Sequence, residues 1–118
     1  MTFKTLASAT LLFTLAPLTL ASAQSSTYLE TVVFEAVDSY ASADGRLSVT
    51  GIVTGEATPR TLAVDINYSF PGHIELGRSC ERLTLMAMTK PGQYLLQVSY
   101  YNYGASDHPL STCRLTRR

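Results

Sequence analysis

The chain has no tryptophan, and only two cysteines and two histidines among its 118 residues. Nine basic residues balance nine acidic ones, so the formal net charge is zero. That balance disfavours a nucleic-acid binder of the strongly cationic kind. Two thiols are too few for a structural zinc site, and His73 and His108 are not spaced to complete one. There is no Gly-x-Ser-x-Gly elbow for an activated serine and no Gly-rich phosphate loop ending in lysine. The carboxylates Glu30, Glu35, Asp38, Asp44, Glu56 and Asp65 are scattered, without a pair that suits glycoside hydrolysis. No metal or other cofactor is implied, and the balance of signals leans away from an enzyme. Internal repeats, low-complexity tracts and interdomain linkers are also missing.

What is present begins with an export signal. Lys4 is followed by an apolar stretch centred on Leu11–Leu20, and Ala21-Ser22-Ala23 closes it. That layout predicts a secretory signal peptide over residues 1–23, cut after Ala23, and one domain over 24–118. Thr10, Thr14, Pro17 and Thr19 interrupt the run, so a membrane anchor is disfavoured and no span is expected after cleavage. The destination is the periplasm or the extracellular space. In an oxidising compartment Cys80 and Cys113 are expected to form a disulfide. Closing that loop stabilises a fold by roughly 4 kcal/mol in the chain-entropy model.

The rest reads as strand after strand. Thr27–Val37 is rich in β-branched and aromatic residues, with Tyr28, Val32, Phe34 and Ala36 on one face and Leu29, Val33 and Val37 on the other. Asp44-Gly45 supplies a turn. Arg46–Thr54 alternates, and Gly51 on its inward face suits a bulge or sharp bend. Thr61–Tyr68 alternates most cleanly, with Leu62, Val64, Ile66 and Tyr68 inward and Asp65 and Asn67 outward. Ser69–Gly77 reads as a loop because it holds Pro71-Gly72 and Gly77. Ser79 then reads as an N-cap, and Leu83, Met86 and Ala87 follow Cys80 at helical spacing until Pro91-Gly92 stops them. Tyr94–Tyr101 is a strand with Leu96 and Val98 inward, and a short final strand covers Thr112–Thr116.

The expected architecture is all-β with one short helix. The order of three strands, a helix and two strands resembles an OB-fold, a five-stranded antiparallel barrel with its helix between strands three and four. Small secreted OB-fold proteins, among them the receptor-binding subunits of bacterial multi-subunit toxins, are similar in export, size, helix placement and disulfide. The resemblance lies in element order and implies no specific site residue. A β-sandwich is the alternative, with Arg82–Met88 as a further strand.

In an OB-fold, ligands lie across strands two and three and the neighbouring loops. That resemblance points to Asp65 and Asn67. Tyr101 and Tyr103 at the end of strand four add aromatic area with polar tips, which suits sugars and peptides. The leading expectation is a non-enzymatic binding module for a glycan, peptide or protein partner. A subunit of a larger secreted assembly is one alternative, and oligomers remain open. Another is a small hydrolase using His73, with Glu75 near it, or His108, with Asp107 beside it. Both histidines otherwise read as solvated loop residues. Ser79 or Ser111 counts as a nucleophile only beside a base.

Overall fold

The computed structural model describes residues 28–118; the expected signal peptide and its cleavage point lie outside them. Five strands and one helix follow in the order β1 Leu29–Ala43, β2 Arg46–Val53, β3 Arg60–Asp65, α1 His73–Thr89, β4 Tyr94–Tyr101 and β5 Leu110–Arg117. The strands form one sheet in the order β3-β2-β1-β4-β5, and every neighbouring pair is antiparallel. Beyond the ladders, one isolated parallel bridge joins Asp65 to Pro109, at the ends of the two outermost strands.

The β1–β2 hairpin turns on Asp44 and Gly45, with φ of 54° and 72°. Two consecutive positive φ values match the right-handed twist of the flanking strands, and Asp-Gly is the dipeptide that tolerates them. Further along this pair, β1 shifts register between Phe34 and Ala36 and again between Val37 and Ser39. The shifts change the face on which alternate residues point. Val32, Phe34 and Val37 are therefore all buried, which strict alternation had divided between two faces. Gly51 pairs with Val37, and a Cβ there would overlap the Ala36 carbonyl. The bend thus requires glycine opposite the bulge.

The helix differs most from the sequence expectation. It starts at His73, after Gly72 at φ 80°, and Ser79 lies inside it without capping its start. The residues read as a loop, His73–Gly77, are its first turn and more. Its buried stripe is His73, Gly77, Cys80, Thr84 and Ala87, a spacing of one helix face. After His73 these are small side chains, which let the helix lie close to the sheet. Gly77 is the tightest point, since a Cβ there would come 2.9 Å from the Cβ of Ile66. Arg82–Met88 is helical, which removes the extra strand of the sandwich alternative. The disulfide Cys80–Cys113 ties this face to β5, with Cα atoms 5.3 Å apart.

The core lies between the helix and the concave side of the sheet. Phe34, Leu47, Leu96 and Val98 are fully buried, with Val49, Val64 and Leu110 beside them. Truncating a buried Leu to Ala costs about 2–5 kcal/mol in such a setting. Of the inward set expected on β3, Val64 is buried, while Leu62 and Ile66 are half-buried at the sheet edge. β3 stops at Asp65, so Ile66, Asn67 and Tyr68 lie beyond the strand.

Candidate functional site

The four residues singled out in sequence fall into two different settings. Asp65 ends β3, where its carboxylate meets two partners. Oδ2 accepts the His108 backbone N–H at 2.7 Å, and Oδ1 lies 3.2 Å from Nε of Arg46, its cross-strand neighbour. Arg46 Nε makes no aligned hydrogen bond, so that second contact is an ion pair. The Asp65 backbone N–H donates to the His108 carbonyl at 2.8 Å. Asp65 is therefore a latch across the seam between β3 and the start of β5.

His73 pins the same seam. It is buried, not solvated as a loop reading implies. Nδ1 accepts the Tyr68 N–H at 3.0 Å, and Nε2 lies 3.1 Å from the Leu110 carbonyl. Only the tautomer carrying its proton on Nε2 satisfies both. Tyr68 and Phe70 pack edgewise on the ring. With both nitrogens held, His73 has none left for a substrate, and Glu75 pairs with Arg78 at 3.2 Å instead.

Asn67 is exposed just past this seam. With Asp44, Asp65, Ser106 and Asp107 it borders a shallow cavity of ≈260 Å³. Among the described residues no cluster of His, Cys, Asp or Glu is arranged to hold a metal ion.

Tyr101 and Tyr103 stand elsewhere. Their rings are parallel within 6°, with centroids 5.7 Å apart, and Tyr28 leans on Tyr103 at 5.7 Å. Tyr101 is 36 % exposed, and Tyr28 and Tyr103 are each 55 % exposed. Leu29, also exposed, pairs with Tyr101 across the β1–β4 ladder. Among the described residues none of the three phenol oxygens takes a side-chain hydrogen bond. The result is a continuous aromatic ridge whose polar tips point to no side-chain partner among the described residues. Comparison with known protein families, curated proteins and solved structures gives no match. Chemistry must therefore be read from the ridge and its surroundings.

Directly behind the ridge is a polar network that sequence reasoning missed. Tyr100 points inward and is 8 % exposed. Its OH donates to Glu30 Oε2 at 2.7 Å, and Asn102 Nδ2 donates to Glu30 Oε1 at 2.9 Å. His108 Nε2 lies 3.1 Å from Asn102 Oδ1, which fixes that nitrogen as the donor. The bonds from Asn102 and then Tyr100 hold the Glu30 carboxyl below its ordinary value of 4.5. Burial, together with the bond to Glu30, pushes the Tyr100 phenol up to about 12. Each Glu30 oxygen accepts one of these bonds, so the network ties the start of β1 to the end of β4 beside the ridge. Glu30 lies 70 and 72 residues from Tyr100 and Asn102, and only the β1–β4 register shows that they meet. Neither Ser79, exposed on the helix, nor Ser111 has a histidine bonded to it.

Proposed function

We propose that this protein is an exported, OB-like barrel that acts as a non-enzymatic binding module, with its partner engaged at the ridge of Tyr28, Tyr101 and Tyr103. The observation that carries the reading is the ridge itself: three exposed tyrosines, Tyr28 and Tyr101 each packed on Tyr103, with no side-chain hydrogen bond to their hydroxyls among the described residues. Tyrosine presents large apolar area on few rotatable bonds, and a free phenol adds a directional contact. The strand order and the Asp65–Pro109 bridge support a barrel, because they bring the two outer strands together at one end. The engaged nitrogens of His73, and the bond of His108 Nε2 to Asn102, favour binding over a histidine-based hydrolase.

The test is affinity capture from the medium or periplasm of a cell exporting the tagged full chain. Wild type is compared with a Tyr101→Ala, Tyr103→Ala double variant. The reading expects capture to fall at least tenfold in the variant while its melting temperature stays put. Equal capture by both proteins contradicts it.

A further inference from the structure

The ridge continues along the sheet face opposite the helix, where Thr31, Thr112 and Arg114 are exposed, Val33 and Gln97 half-buried and Ser99 buried. The β1–β4 and β4–β5 registers set Leu29 beside Tyr101, then Thr31 beside Ser99 and Thr112, then Val33 beside Gln97 and Arg114. Side chains alternate along a strand, so these rows lie opposite the buried rows of Val32, Leu96 and Val98. The helix covers that other side through Cys80 and Cys113. From Tyr101 to Gln97 the face runs about 13 Å at a rise of about 3.3 Å per residue. Aromatic area stands at one end, and an amide and a guanidinium at the other; between them Ser99 is buried and bonded to the Thr31 hydroxyl at 2.8 Å, so Thr31 and Thr112 are the hydroxyls at the surface. Among the described residues Gln97 and Arg114 take no side-chain hydrogen bond, and Arg114 makes no ion pair.

We infer that this face binds an acidic oligosaccharide, with a sugar ring on Tyr101 and Tyr103 and a uronate-type carboxylate on Arg114. The inference rests on the binding reading above and assigns its ligand class. Four observations select it. Among the described residues, the three cavities bordered by Asp44 and Asn67, by Ile66 and Ile74, and by Tyr40 and Leu85 include none of the ridge tyrosines, which suits a ligand lying flat along a surface. Backbone groups within this face are consumed by the ladders, so an extended peptide would leave its own amides unpaired; peptides that add to sheets do so at an edge. A sugar needs only what the face offers, namely ring faces, hydroxyls and one amide. The single Arg114 guanidinium at the far end of these rows complements one carboxylate and falls far short of a cation for each phosphate of a nucleic acid.

Calorimetric titration of the full chain, exported and oxidised, tests this with three probes: trigalacturonate, its uncharged methyl ester, and a glutamate peptide of equal charge. Trigalacturonate is expected to bind, and the ester and the peptide at least tenfold more weakly. Tyr101→Ala with Tyr103→Ala, and separately Arg114→Gln, should each weaken trigalacturonate at least tenfold with unchanged circular dichroism. Arg114→Gln should leave the ester unaffected. Equal binding of ester and acid removes the carboxylate subsite, and equal binding of peptide and sugar reduces the face to a charge effect. If no probe binds while partner capture stays tyrosine-dependent, this inference falls and the binding reading stands. If capture is also independent of the tyrosines, both fall.

Discussion

Asp65 and Tyr101 are both candidates as polar-tipped residues at strand ends, yet the molecule uses them in opposite ways. At the seam, Asp65 and His73 spend every hydrogen-bonding atom named here on the protein itself. At the ridge, the side chains of Tyr101 and Tyr103 spend ring area on each other and on Tyr28, and among the described residues their hydroxyls take no side-chain bond. The lesson is that engagement, not exposure alone, separates a structural polar residue from one available to a partner. Asp65 is itself half-exposed. What removes it from the binding surface is the N–H it accepts.

The contrast can be broken most forcefully at His73. Alanine there strands the Tyr68 N–H and the Leu110 carbonyl and leaves a void. Each buried orphan costs about 1–3 kcal/mol, so a total loss of about 3–5 kcal/mol is expected in urea unfolding. A loss below about 1 kcal/mol would mean that the seam is not pinned as described. Asp65→Ala comes next, at about 2 kcal/mol for a charge-assisted bond to a half-buried backbone group.

A pH series sharpens the comparison behind the ridge. Glu30 has a lowered folded-state pKa, so its contribution is complete above 4.5 and is lost as pH falls through the folded value. Glu30→Gln should flatten that acid limb of the stability profile, and an unchanged limb would remove Glu30 from the network. Tyr100 gives the opposite limb: its contribution is complete below 10.0 and fades as pH rises towards about 12. The smallest stability effect belongs to the ridge. Tyr103→Ala should change unfolding free energy by no more than about 0.5 kcal/mol, as for other exposed positions.

Much of the fold was legible because its signals are local. Asp44-Gly45 names its turn, Gly51 marks the bend opposite a bulge, Pro91-Gly92 ends the helix, and the lone cysteine pair has one connectivity. The misreadings share a different cause. The helix start was hidden because Gly72 and Gly77 look like loop punctuation, whereas Gly77 is small to admit Ile66. The phase of β1 was hidden because register shifts flip the face partway along the strand. At the candidate site, the split between Tyr100 inward and Tyr101 outward follows from alternation alone. The fate of Asp65 does not, since its partner His108 is 43 residues away and contributes only a backbone N–H. Tyr28 and Glu30 join the ridge through a register that composition does not encode.

The most direct test measures stability and partner capture together, on Asp65→Ala and on the Tyr101→Ala, Tyr103→Ala pair. If the seam is structural and the ridge is free, Asp65→Ala lowers the melting temperature, by about 4–8 °C per kcal/mol in a domain of this size, yet captures partner normally per folded molecule. The tyrosine pair should melt as wild type does and lose capture at least tenfold. The reverse pattern, with the tyrosines unfolding the chain or Asp65→Ala abolishing capture while fully folded, would contradict the account.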